Sequence, residues 1–193
     1  MDILSAATHD KESFKDLELK SEALKGYSFE DCLFEKCRFT DVDLTNSEFA
    51  DCKFTHCEFN LPKLAGCGLR GVGFEDCKLV GVDFTKCNFT FFEIAFHGCL
   101  LDICNFSTLK LKRVPFLRCE IRDSRFIESN LPEANFEGSN FEGTIFHQTN
   151  LEKANFLNAR NYSIDPTTNK VKGAIFSLPE AVSLLTGLGI KLK

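Results

Sequence analysis

Ten cysteines and four histidines are the residues of this 193-residue chain best equipped for chemistry. Thiolates and imidazoles bind zinc, and a Cys–His pair can serve as nucleophile and base. The spacing speaks against both uses. The cysteines are Cys32, Cys37, Cys52, Cys57, Cys67, Cys77, Cys87, Cys99, Cys104 and Cys119. They are five residues apart, or a multiple of five, with one exception after Cys87. No Cys-x-x-Cys is present. Thiols in so regular an array share one environment instead of converging on an ion. His97 stands two residues before Cys99, but an inward-facing thiol is a poor nucleophile. His9, His56 and His147 have no nucleophile set beside them by spacing, and no Gly-rich phosphate loop is present. The expectation is no enzyme, with no catalytic, metal or cofactor site.

The array itself is the dominant signal. Two residues after each of these cysteines comes Leu, Ile or Phe. The same five-residue beat runs from Leu24 through Phe29, Phe34, Phe39 and Leu44 to Phe89 and Ile94, slips, and resumes from Leu101 to Phe156. Five matches neither the helical period near 3.6 nor the strand period of 2. Two inward residues per five, two apart, suit a short extended segment followed by a tight turn. Where Cys is missing, the slot holds Val42, Ser47, Val72, Ala134, Thr144 or similar small residues. Sixteen of the 21 phenylalanines fall on the beat, so the Phe series is read as core, not as a ligand pocket.

Segments such as Ala134-Asn135-Phe136-Glu137-Gly138 and Ala154-Asn155-Phe156-Leu157-Asn158 resemble the pentapeptide-repeat family closely. The resemblance implies an all-β solenoid: a right-handed quadrilateral β-helix, one pentapeptide per side, with coils about 4.8 Å apart. The expected organisation is an N-terminal cap over residues 1–22, the β-helix over 23–160, and a C-terminal segment over 161–193. A two-residue slip is expected near residues 95–99, at the corner after Ile94, keeping Cys37, Cys57, Cys77, Cys99 and Cys119 in one ladder. In the C-terminal segment Ser177-Leu178-Pro179-Glu180 reads as a capping box. Ala181, Leu184, Leu185 and Leu188 follow at helical spacing, with Gly187 as the stop. A short α-helix should therefore cover the last coil.

Composition bounds the partners. The formal charge of -5 argues against direct nucleic-acid binding and allows a basic protein partner. No apolar run reaches the 18 or more residues of a membrane span. Met1 to Ser5 lacks the features of a secretory signal. A cytoplasmic location with reduced thiols is the expectation.

The resemblance extends to bacterial members that protect DNA gyrase and topoisomerase IV from quinolones or a peptide toxin, as mimics of duplex DNA paired through their C-terminal helices. It implies a partner-binding role for Glu30, Asp31, Glu48 and Asp51, which should fall on one side, one coil apart. It also implies a homodimer, for which Val182, Leu185, Leu188 and Ile190 are the candidate contacts. Lys110, Lys112 and Arg113, followed by Glu133 and Glu152, should place a basic stretch within the acidic side. A generic protein-interaction scaffold with an unassigned partner is the alternative reading.

Overall fold

The structure is a computed structural model that describes residues 7–21 and 23–190. It is a parallel β-solenoid with one short C-terminal helix. The chain divides into two compact units, Met1–Ala95 and Phe96–Lys193.

In the first unit every strand is about three residues long, and its middle residue points inward. One side stacks Thr8–Asp10, Ser28–Glu30, Glu48–Ala50 and Gly68–Arg70. The next stacks Ser13–Lys15, Leu33–Glu35, Lys53–Thr55 and Val72–Glu75; the third stacks Glu18–Lys20, Arg38–Thr40, Glu58–Asn60 and Lys78–Val80. The fourth is held by single bridges, Ala23 to Asp43 to Lys63. Residues 8–20, within the segment expected to act as a cap, thus build a further coil in register with the one above it. The first residues of that segment, 1–6, lie outside the described residues.

A square coil needs a sharp turn every five residues. The chain makes it by placing the corner residue at positive φ: Asp31 at 51°, Lys36 at 54°, Asp41 at 52° and Asn46 at 56°. Asp and Asn tolerate this region, and glycine enters it freely. Gly71 is such a corner, and a Cβ there would meet the Asp51 carboxylate of the preceding coil.

Inward phenylalanines stack coil upon coil. Phe34 lies 4.6 Å from Phe54 at 13°, and in the second unit Phe106 lies 4.9 Å from Phe126 at 6°. Rings on adjacent sides meet edge to face, as Phe116 does with Phe126 at 5.6 Å and 86°. Both geometries suit the ring quadrupole.

The small-residue slot does more than leave room. Cys37 Sγ donates to Phe14 O at 3.5 Å, Cys57 to Phe34 O at 3.3 Å and Cys77 to Phe54 O at 3.4 Å. In the second unit Ser129 and Ser139 hydroxyls donate to Phe106 O at 2.8 Å and Phe116 O at 2.7 Å. The same side chains accept from the slot amide of the coil before: Cys37 N–H to Cys57 Sγ at 3.4 Å, Cys119 N–H to Ser139 Oγ at 2.9 Å. Cys, Ser and Thr in the slot are small and both give and receive, which the Val and Ala of other coils cannot do. Cys57→Ser should therefore leave the urea midpoint nearly unchanged. Cys57→Val, which forfeits both bonds inside the coil, should cost about 1–3 kcal/mol.

The slip lies before Ile94, not after it. Asn88 still bonds in the regular register, its N–H donating to Cys67 O at 2.8 Å. Phe96 pairs with Phe116, and Leu101 with Ile121, twenty residues apart. Phe96 is therefore the inward centre. Ile94 fills the small-residue slot two positions earlier, as Val114 does before Phe116. The Cys99 ladder position is indifferent to this choice, because Leu101 follows Cys99 by two residues either way. Phe89, counted on the beat in the sequence, is turned outward.

Asp43 links the fold to pH. Hydrogen bonding from the Thr45 side chain, then Lys25 Nζ at 3.0 Å, pulls its carboxyl down to about 2. A depressed carboxyl contributes stability above its unfolded pKa of about 4, and loses it as pH falls toward the folded value. Asp43→Asn should flatten the fall in melting temperature between about pH 4 and pH 2.

Candidate functional site

The first side of the first unit carries all four acidic residues singled out by sequence. Its strands turn His9, Phe29, Phe49 and Leu69 inward. The flanking residues must then face out. Asp10 stacks on Glu30 and Ser28 on Glu48, while Asp31 and Asp51 occupy corners at φ 51° and 53°. Four carboxylates, those of Glu30, Asp31, Glu48 and Asp51, lie on two successive coils, and Asp10 extends them by one more.

Two cations on this side temper the charge. Arg70 Nη2 lies 3.8 Å from Glu30 Oε1 and 3.9 Å from Asp51 Oδ2, and Lys11 Nζ lies 3.6 Å from Asp10. All are exposed, and such pairs contribute little to stability. Arg70 was legible in the sequence, because it stands forty residues after Glu30 and so in the same column. Glu48 forms no ion pair among the described residues. It lies over Gly68, whose missing side chain leaves room for it.

In the second unit the basic stretch carries its own counter-ions. Arg113 Nε lies 2.8 Å and Lys112 Nζ 3.4 Å from the Glu133 carboxylate. Both cations pull that carboxyl below the usual range, Arg113 more strongly.

The C-terminal candidates sit on a short helical run, a 3-10 turn over Glu180–Ser183 continuing into Leu184–Gly187. The capping box does not form. The Ser177 hydroxyl instead accepts from the Asn158 amide of the preceding coil at 2.9 Å, and Pro179 takes the cap position without a side-chain bond. The helix ends at Gly187, with Leu188 as its cap. Gly189 reverses the chain at φ 70°, with Ile190 N–H donating to Leu185 O at 3.2 Å. Gly187 is glycine for another reason: a Cβ there would stand 2.7 Å from Asp165 Oδ1. Val182, Leu188 and Ile190 are exposed and Leu185 is half-buried. Leu178 joins them at 80% exposure, so this end presents several large apolar side chains to solvent.

A family profile described as a pentapeptide repeat region matches residues 27–106, 49–126 and 67–146, well over half of the chain in sum. The chain belongs to the pentapeptide-repeat family. No curated protein matches it. Among solved structures, a trypsin-treated form of QnrB1, a plasmid-mediated fluoroquinolone resistance protein, superposes with a TM-score of 0.64 at 17% identity, covering 96% of this chain and 100% of that one. HetL, a pentapeptide repeat protein involved in heterocyst differentiation regulation from the cyanobacterium Nostoc sp. strain PCC 7120, gives 0.45 at 14% identity over 86% of this chain and 85% of its own. At these identities the likeness is one of fold.

In this pentapeptide-repeat chain the cysteines are all free and buried. Burial pushes the Cys52 and Cys67 thiols up to about 12, and raises Cys32 and Cys87 as well. These four are thiols, not thiolates, at neutral pH, and poorly nucleophilic. His9, to which the sequence assigned no role, is the inward residue of the first coil. It stacks on Phe29 at 5.1 Å, and its Nδ1 lies 3.2 Å from Glu12 Oε2. Counting twenty back from Phe29 would have found it. Among the described residues no three His, Cys, Asp or Glu side chains gather to hold a metal. No described helix is long and apolar enough to cross a membrane.

Proposed function

We propose that this protein is a non-enzymatic binding solenoid whose acidic side receives a basic protein surface. DNA gyrase or topoisomerase IV is the partner of choice, with protection against quinolones or a toxin as the consequence. The observation that carries the reading is the density of charge on the first side. Two coils span about 9.6 Å at the strand spacing, and they bear Glu30, Asp31, Glu48 and Asp51. That is one carboxylate per roughly 2.4 Å, between the 3.4 Å charge spacing of one DNA strand and the 1.7 Å of a duplex. A saddle built to hold phosphates would find comparable charge here. The likeness of fold to a fluoroquinolone resistance protein supports the same partner.

Arg70 favours a second reading. It sits within the acidic column and pairs with two of its members, which suits a scaffold that docks a partner of mixed charge. A supercoiling assay with purified gyrase, with and without a quinolone, separates the two. Inhibition or drug rescue at micromolar protein supports the gyrase reading; neither effect leaves the scaffold.

The exposed apolar end fits pairing of two copies through the C-terminal run, in a cytoplasmic homodimer. Leu188→Asp should then convert a sedimenting dimer into a monomer with an unchanged melting temperature. A wild-type protein that sediments as a monomer would remove this part of the proposal.

A further inference from the structure

The acidic side ends in a feature that the repeat does not require. After Asn88 the chain makes a turn that sends two phenylalanines outward. Asn88 Oδ1 accepts from Thr90 N–H at 3.0 Å, and the rings of Phe89 and Phe92 meet edge to face at 5.8 Å. Glu93 then returns to the sheet. Its N–H donates to Leu69 O at 2.9 Å, and its carbonyl accepts from Val72 N–H at 3.0 Å. Leu69 O thus accepts from an amide 24 residues on, where a regular coil uses 21. The turn is tied at both ends, so the exposure of its rings is built in.

Phe89 is 53% exposed although it follows Phe29, Phe49 and Leu69 in the inward column. Phe91 is 78% exposed and takes the corner place that Asp31, Asp51 and Gly71 occupy below, at φ 58°. Under Phe91 runs an open groove of about 260 Å³. Ala50 and Gly68 form a floor with almost no side chain, and Glu48 and Arg70 stand at its rim. Small-molecule sites measure about 300–1,000 Å³ and are concave, so this groove suits one or two side chains of a protein partner. Its own lining sets Glu48 against Arg70, and the acidic balance comes from the side that continues beneath it, where Asp51, Glu30, Asp31 and Asp10 outnumber Lys11.

We infer that this turn and groove form the anchoring site for a basic amphipathic segment of a partner protein. An apolar side chain of the partner lies in the groove against Phe91, and its Lys or Arg neighbours reach Glu48 and Asp51. The inference rests on the protein-binding reading above and gives the chemistry of the contact. It combines an aromatic anchor that the partner would desolvate with a charged rim, the arrangement that concentrates binding energy at interfaces.

The probe is a dye-labelled amphipathic helix of Leu and Lys, with a Leu/Glu helix of the same pattern as control, read by fluorescence anisotropy. The wild-type protein should bind the Lys peptide and ignore the Glu peptide. Phe91→Asn, a residue suited to positive φ, should weaken binding roughly tenfold or more with no change in melting temperature. Equal binding by wild type and variant overturns the site, as does equal binding of both peptides. Sedimentation of the two proteins checks the remaining occupant: a wild-type dimer lost in Phe91→Asn would assign the groove to a second copy and overturn the inference. Gyrase reports separately. Peptide binding through Phe91 with no effect on supercoiling leaves the site standing and removes gyrase. Supercoiling inhibition with no peptide binding does the reverse.

Discussion

Replacing Phe116 by alanine is expected to destabilise the protein by about 3–5 kcal/mol, the range for emptying a fully buried aromatic site. Phe116 is fully buried. Its ring stacks on Phe96 at 5.0 Å and Phe136 at 5.4 Å, and meets Phe106 and Phe126 edge to face at 5.3 and 5.6 Å. Coils one strand spacing apart cannot close over the gap, because the backbone ladder fixes their separation. In a solenoid each coil contacts only its neighbours, so a central loss weakens two interfaces. Phe14 stacks on a single phenylalanine, Phe34, at 4.9 Å, and Phe14→Ala should cost less. Urea unfolding monitored by circular dichroism measures both. A Phe116→Ala loss below about 1 kcal/mol would mean that the stack is not the core this account takes it to be.

The largest functional effect is expected from reversing the acidic side. Changing Glu30, Asp31, Glu48 and Asp51 to Lys adds two charges at each of four positions, taking the formal charge from -5 to +3. Facing a basic saddle, these lysines would replace attraction by like-charge contact, which costs several kcal/mol across an interface. Gyrase inhibition should fall roughly a hundredfold or more. The melting temperature should hardly move, since the ion pairs lost are exposed. Arg70→Glu provides the opposite sign. It removes the cation from the column and should strengthen inhibition, more so at low salt. Loss of inhibition in both variants would mean that gyrase reads the mixed charge of this side and not its acidity alone.

The periodic parts of the molecule were legible from sequence, and the interruptions were less so. The beat of Leu and Phe, with small residues two before, is a direct image of inward and outward faces, so it gave the coil and the common side of Glu30, Asp31, Glu48 and Asp51. The slip was misplaced because Ile94 suits either of two inward positions: a repeat centre, or the slot that Val72 and Val114 fill. The pairing of Phe96 with Phe116 and the bonds of Glu93 to Leu69 and Val72 decide between them. Ser177 looks like a helix cap when read along the chain. In the fold it is claimed by Asn158, nineteen residues earlier, across one coil. The need for glycine at 187 was hidden for the same reason, since the Asp165 carboxylate that excludes a side chain there is distant in sequence. Contacts one coil apart are invisible to local patterns unless the count of twenty is applied, as it could have been for His9 and Arg70.

The most direct test of the central claim is competition with DNA. Labelled duplex bound to purified gyrase would be titrated with this protein while anisotropy is followed, for the wild type and for the variant with Glu30, Asp31, Glu48 and Asp51 reversed. The account predicts displacement of DNA at micromolar wild-type protein, weakened by salt, and none by the variant. DNA that stays bound at every concentration, or that both proteins displace equally, would contradict the claim that this acidic side takes the place of a phosphate backbone.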